Sequence, residues 1–227
     1  MARAIRKRRS KVRTTLTRIS DSTVHRLSKY YRTLAMFSEQ GIKTISSDLL
    51  ATHNGVTAAQ VRKDLSCFGA FGRRGLGYTV VDLKRNIGNI MGLGKMWKVA
   101  LVGVGNVGRA LLEYDQFHLH GFPIKLAFDA DPAKIGKEFH GIPVRDVANL
   151  EAEVKREKVE IAVIAVPMGF AQNVVDRLVA GGIKAILNFA PINLTVPPGV
   201  FIRHENMAIE IEALAFALTN PELVKGD

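Results

Sequence analysis

Apolar positions follow two rhythms along the chain. Up to about residue 94 they recur three and four apart, the spacing of helices with one buried stripe. The first such segment runs from Ser22 through VHRLSKYYRTLAMFSEQ to Gly41, with Val24, Leu27, Tyr31, Leu34 and Ala35 on its stripe. Ser22 suits a helix start and Gly41 a left-handed stop. A short extended stretch follows, then a helix over 47–53 closed by Asn54-Gly55. A third helix begins at Thr57, which stands with Gln60 in T-x-x-Q spacing ahead of VRKDLSCF; that spacing lets the two side chains cap the helix start. Two short helices joined by a tight Asn-Gly turn predict a helix-turn-helix over about 30–69.

Next comes FGAFGRRGLGYTV, whose glycines bracket Arg73 and Arg74. It predicts a wing over about 70–80 with both arginines at its tip. The pair is either generic surface charge or, placed after a helix-turn-helix, a phosphate or minor-groove contact. VDLKRNIGNIMGLGK reads as a short helix ending in a glycine-rich joint near Gly94.

Beyond the joint the rhythm changes. Short apolar runs, KVALVG at 98–103, PIKLAFD, VEIAVIAVP, IKAILNFA and VFIRH, alternate with helical patterns near 150–158 and 170–180. Five strands spaced by helices predict a doubly wound parallel sheet. The fold class expected is therefore α/β with an α+β N-terminal domain: a winged helix-turn-helix over 21–94, then a Rossmann-type domain over 95–205. A final helix over 206–220 carries Met207, Ile209, Ile211, Leu214, Phe216 and Leu218 around nearly its whole circumference. A helix apolar all round requires burial on several sides.

One motif in the second half carries chemistry. Gly103-Val104-Gly105-Asn106-Val107-Gly108 matches G-x-G-x-x-G between a strand and a helix, and Asp129 ends the next strand 21 residues past Gly108. The glycines permit a tight turn, close approach of a pyrophosphate and helix-on-strand packing, while the acid accepts hydrogen bonds from an adenosine ribose. Asp131 is an alternative ribose acid. Lys134 would welcome a 2′-phosphate that Asp129 repels; the acid favours NAD(H). None of the six histidines sits in a recognisable proton relay, so the pattern predicts no enzyme.

Charge and composition sharpen this picture. The net charge of +11 over 227 residues is uneven: residues 1–95 hold 19 Lys and Arg against five Asp and Glu, and the remainder 13 against 16. A basic helix-turn-helix half points to nucleic acid as its partner. Residues 1–18 contain eight basic and no acidic residues, which predicts a disordered tail over 1–20; no apolar core follows that would make it an export signal. The single cysteine, Cys67, excludes a disulfide framework and a four-cysteine zinc site, and no metal is expected. No apolar run approaches the roughly 20 residues of a membrane span, so the expectation is a soluble chain without a membrane partner.

Together ISSDLLA, VTAAQVRKDLSCFGAFGRRGLGY, LVGVGNVGRALLEY, FDADPAKIG, AQNVVDRLVAGGIKAILNFAP and ENMAIEIEALAFAL resemble the Rex-type redox-sensing transcriptional repressors of bacteria over about residues 22–220. The resemblance implies a cytoplasmic homodimer that binds an inverted-repeat DNA operator and leaves it when NADH replaces NAD⁺. It places a recognition helix over 57–68 and implies that Ser47, Thr57, Gln60, Arg62 and Lys63, with Arg73 and Arg74 of the wing, meet DNA; for Arg62 a salt bridge with Asp64 or another acid is the alternative. It also implies that the last helix is exchanged between subunits, and that Arg32 and Tyr114 lie near the domain junction with position 206 as a switch. The chain departs from the family pattern at Cys67, commonly aromatic, and at Asn206, commonly acidic. Asn206 is expected to weaken the switch. Two other readings stay open: an NAD-dependent oxidoreductase with an accessory basic domain, and a Rossmann domain for CoA or another adenine nucleotide.

Overall fold

The computed structural model describes residues 19–72 and 75–223. The basic tail and both wing arginines, Arg73 and Arg74, lie outside the described residues. The chain divides into two units, Met1–Gly92 and Leu93–Asp227.

In the first unit α1 spans Asp21–Glu39, and its cap is Ser20, whose hydroxyl accepts the Thr23 N–H at 3.3 Å. The sequence pattern points to Ser22, which instead lies inside the first turn. The buried stripe is correspondingly rotated: Thr23, Leu27, Tyr30, Leu34 and Phe37 are buried, whereas Val24 is 40% exposed. Tyr30 displaces Tyr31 from the centre of the stripe because its hydroxyl finds a buried carboxylate, Asp64, at 3.0 Å; a phenol enters a core readily when its O–H has a partner.

Helix α2, Ser47–Thr52, is capped by Ser46, and α3, Ala58–Ser66, by Thr57. The chain turns between them through Gly55 at φ +63°. Two short strands, β1 at Thr44–Ile45 and β2 at Tyr78–Thr79, pair antiparallel with Ile45 opposite Tyr78. Gly77 enters β2 at φ +74°, and a Cβ there would lie 2.4 Å from the Ile45 carbonyl oxygen, so only glycine lets the wing segment return against β1. Helix α4, Val80–Ile90, closes a core built from Leu27, Tyr30, Leu34, Leu50, Val61, Leu65, Leu83 and Ile87.

The second unit is a seven-stranded sheet. Its strands are β3 (Val99–Val102), β4 (Ile124–Asp129), β5 (Glu138–Phe139), β6 (Ile142–Asp146), β7 (Ile161–Ile164), β8 (Ala185–Asn188) and β9 (Phe201–His204), ordered β5-β6-β4-β3-β7-β8-β9. All neighbours run parallel except β5 and β6. All five strands expected from the apolar runs are present. The β5–β6 hairpin is an addition, hidden because EFHGIPVRD is short, carries a proline and turns at His140-Gly141, where both residues have positive φ. Such a two-residue turn leaves almost no apolar periodicity to read.

Strand residues alternate between two cores. Ala100, Val102, Phe128 and Ile164 pack with Leu150 and Val154 of α7 (Leu150–Arg156) and Val174 and Leu178 of α8 (Met168–Ala180). Val99, Leu101, Ala127 and Val163 pack on the other side with Leu112 of α5 (Asn106–Leu112) and Phe117 of α6 (Gln116–Leu119). Helices on both faces are what a mostly parallel sheet requires. The last helix, α9, spans Met207–Thr219 and has no buried residue. Among the described residues no helix is long and apolar enough to cross a membrane.

Candidate nucleotide and nucleic-acid sites

Strand order reverses direction between β3 and β7, the position where open α/β sheets take ligands beyond their strand ends. A cleft of about 690 Å³ opens there. Gly103, Gly105, Asn106 and Val107 line it from the turn after β3, Asp129, Asp131 and Lys134 from beyond β4, and Pro167, Phe170, Asn173 and Arg177 from the start and exposed face of α8.

The three glycines have different reasons to be glycine. A Cβ on Gly103 would stand 2.5 Å from the Ala165 carbonyl oxygen, and one on Gly108 would stand 1.9 Å from the Gly103 carbonyl oxygen. Both are fixed by packing within the protein. A Cβ on Gly105 would meet nothing within 4 Å, so the space beside that backbone belongs to the cleft. Helix α5 starts at Asn106, and first-turn N–H groups lack intrahelical acceptors and carry partial positive charge. The turn therefore fits a phosphate diester.

Asp129 sits at the edge of this turn. Its Oδ2 accepts the Val104 N–H at 2.7 Å and a hydrogen bond from Lys134 Nζ at 3.1 Å, and its Oδ1 accepts the Asp131 N–H at 2.9 Å. Burial alone would push the carboxyl up; the two backbone N–H groups and the Lys134 ammonium outweigh it and hold Asp129 below the ordinary carboxylate range. It is an ionised, oriented acceptor at working pH. Val104 gives only this N–H, its side chain being fully buried in the core. Asp131 lies near the same ammonium at 3.7 Å but is far more exposed.

Arg177 reaches the cleft wall already held, donating to Glu151 Oε1 at 2.7 Å and to the Ala148 carbonyl at 3.1 Å. The α8 residues were not singled out from sequence as site residues. Their signal was their position directly after β7, at a strand end flanking the switch point.

In the first unit, α3 turns Ala59, Arg62, Lys63 and Ser66 outward. Arg62 Nη1 donates to Ser47 Oγ at 2.9 Å across from α2. The alternative pairing of Arg62 with Asp64 is not made: Asp64 is 2% exposed and held by Arg26 through Nε at 2.6 Å and Nη2 at 2.8 Å. Thr57 Oγ1 accepts the Gln60 N–H at 3.1 Å, completing half of the capping box. The Gln60 side chain does not return to Thr57; its Nε2 donates to Asp64 Oδ1 at 2.7 Å. Arg26, Tyr30 and Asp64 thus form a buried network that no local spacing revealed, since its members are 34 and 38 residues apart.

Three residues named as a switch are each placed separately. Arg32 is exposed on α1. Tyr114 is 52% exposed, its ring edge-on to Phe117 at 5.2 Å. Asn206 caps α9, its Oδ1 accepting the Ala208 N–H at 3.1 Å. Among the described residues no group of three or more His, Cys, Asp or Glu is placed to hold a metal.

Comparison with known proteins bears on both sites. Residues 18–66 match a family described as "putative DNA-binding protein N-terminus", and residues 94–192 match "CoA binding domain". A protein of Desulfitobacterium hafniense named redox-sensing transcriptional repressor Rex is 48% identical over 199 residues, 88% of this chain and 95% of that protein. Among solved structures, RSP in complex with β-NAD⁺ and operator DNA is 38% identical with a TM-score of 0.87, covering 91% of this chain and 95% of RSP. RSP in complex with β-NADH is 36% identical with a TM-score of 0.82, covering 91% and 97%.

Proposed function

The chain belongs to the Rex family of redox-sensing transcriptional repressors, and from that premise we propose that it represses transcription by holding an inverted-repeat DNA operator, as a homodimer in the cytoplasm, until NADH replaces NAD⁺. It is a regulator and not an enzyme. One observation carries the reading: a single chain joins a helix-turn-helix with Arg62 and Lys63 exposed on its second helix to a sheet whose switch-point cleft is open beside Gly105 and edged by Asp129.

The residues fit the ligand class. Gly105 leaves room for the pyrophosphate, the start of α5 at Asn106 and Val107 supplies N–H groups, and Asp129 accepts the ribose hydroxyls. Lys134 already neutralises part of the Asp129 charge, so discrimination against a 2′-phosphate rests on the carboxylate staying ionised. When bound, the dinucleotide supplies redox information through its nicotinamide and no chemistry.

On the DNA side, α3 enters the major groove and Arg62, Lys63 and Gln60 meet base edges or phosphates, with Ser47 steadying Arg62, Thr57 fixing the helix start and the wing arginines Arg73 and Arg74 reaching the backbone. A twofold dimer sets the two α3 helices one DNA turn apart or a multiple of it, matching a palindromic site. α9, apolar around most of its circumference and without a buried residue in its own chain, is the element exchanged between subunits. Arg32, Tyr114 and Asn206 are the residues through which the nucleotide state reaches the DNA-binding unit.

The test is selection of binding sites from randomised duplex DNA, followed by titration of the selected duplex with NAD⁺ and NADH over a salt series. Tight binding that falls steeply with salt and collapses with NADH supports the reading. Equal binding in both nucleotides, or no sequence selected, overturns it.

A further inference from the structure

The buried carboxylate of Asp64 is saturated with donors. Oδ1 accepts from Arg26 Nη2 at 2.8 Å and from Gln60 Nε2 at 2.7 Å; Oδ2 accepts from Arg26 Nε at 2.6 Å and from the Tyr30 hydroxyl at 3.0 Å. These four contacts fill the acceptor sites of a carboxylate. Three of the donors come from α1, so the group anchors α3 to its neighbour. The fourth belongs to Gln60, one turn earlier on α3, at the border between the buried face and the exposed face that carries Arg62 and Lys63.

A carboxylate this deep is a poor source of stability even with Arg26, itself 21% exposed, beside it, because desolvation offsets much of the attraction; the best-attested use of such a pair is to fix one arrangement over others. What it fixes here is an amide. An ionised carboxylate only accepts, so the NH₂ of Gln60 must turn toward Asp64, and Oε1 together with the second Nε2 hydrogen must turn away from it. A free glutamine side chain samples both amide orientations and loses rotamer freedom on binding. This one is set in advance. One acceptor beside one donor complements the N6–H donor and N7 acceptor on the major-groove edge of adenine, and places the amide oxygen against O6 of guanine.

We propose that Asp64, clamped by Arg26 and Tyr30, is a positioning residue for base recognition that orients the Gln60 amide and thereby sets a preference for adenine over guanine at one position of each half-site. The proposal rests on the DNA-binding reading above and specifies how that surface selects its sequence.

Asp64→Asn is the informative change. The substituted amide keeps its oxygen toward Arg26 Nε and the Tyr30 hydroxyl and puts its NH₂ in place of Oδ1, which gives up the bond from Arg26 Nη2 and offers a donor to Gln60; that admits the flipped Gln60 amide, whose two outward hydrogens match the two acceptors of guanine. Sites are selected from a randomised duplex library with the full-length wild type, Asp64→Asn, Gln60→Ala and the Gln60→Ala/Asp64→Asn double variant. The wild type is expected to favour adenine at one position per half-site by about tenfold, the lower range of a bidentate base contact. Asp64→Asn is expected to bring that ratio near one or invert it at that position alone, Gln60→Ala to erase it, and the double variant to match Gln60→Ala.

A merely structural role would give a different result: Asp64→Asn would weaken every sequence alike and leave the base profile intact, or would change the profile equally with and without Gln60. Either outcome overturns the proposal. So does a Gln60→Ala profile identical to wild type. If Asp64→Asn melts below the assay temperature, the selection is repeated with all four proteins at a temperature where it is folded, and the same outcomes decide. A wild type that enriches no sequence defeats the DNA-binding reading itself, a failure separate from any change in profile.

Discussion

Asp129 Oδ2 accepts the backbone N–H of Val104 at 2.7 Å, which ties the acid ending β4 to the turn that follows β3. The carboxylate that would meet the ribose is therefore oriented by the loop that would meet the phosphates. One substitution disturbs both.

Asp129→Ala is expected to weaken NADH binding by about 10- to 100-fold, the worth of hydrogen bonds to a charged group, and to raise NADPH binding relative to NADH because Lys134 loses its nearer carboxylate and keeps only the more distant Asp131. Calorimetric titration with both nucleotides measures the ratio. An unchanged ratio would remove Asp129 from the ribose site.

Gly105→Asp puts a negative charge beside the cleft at a position where a Cβ meets nothing within 4 Å. Folding and DNA binding are expected to survive while the response to NADH is lost, through repulsion of the pyrophosphate. Thermal melting and operator binding with and without NADH check both halves.

The network around Asp64 predicts how the first unit responds to pH. Burial alone would push the Asp64 carboxyl up, but Arg26, Gln60 and Tyr30 hold it below its ordinary 3.8. That stabilisation is present above 3.8 and lost as pH falls through the lower folded value. Burial and the neighbouring carboxylate raise the Tyr30 phenol well above its ordinary 10.0, so its contribution is complete below 10.0 and lost as pH rises toward the folded value. Denaturant midpoints of full-length protein, followed by a probe in the first unit, are expected to fall at both extremes; Tyr30→Phe should flatten the alkaline limb and keep the acid one.

Charges on α9 are expected to abolish the dimer. Ile209→Glu with Leu214→Glu places two carboxylates on residues 57% and 65% exposed in the single chain, where an isolated subunit would tolerate them. Light scattering should report a monomer, and operator affinity should drop with the loss of the second half-site. A dimer of normal affinity would show that α9 is not at the interface.

Asn206→Asp keeps the α9 cap, since both side chains accept from the first turn, and adds one negative charge. The NADH concentration for half-release of operator should fall if the family's acid matters to the switch. An unchanged midpoint with unchanged helicity would dismiss position 206.

How much of this was legible in the sequence varies with the range of the interaction. The tight turn at 103–108, the place of Asp129 at the end of β4 and the cap at Thr57 follow from local spacing, because turns and caps are local devices. The shift of the α1 stripe from Tyr31 to Tyr30 depends on Asp64, 34 residues on, and no periodicity contains it. The β5–β6 hairpin escaped because strands of two and five residues, one carrying a proline, are too short to show a period. Gln60 reads from the sequence as the capping-box partner of Thr57 and, through the resemblance, as a residue facing DNA; that its amide is held by Asp64 instead required the fold.

α9 exposes every one of its 13 residues to at least an intermediate degree. A helix of that length is marginal alone in water, so the exchange proposed for α9 would tie its order to association, which follows mass action. Copy number would then enter the regulator directly: at low abundance the chain would lose its paired form and its grip on DNA together, whatever the nucleotide present.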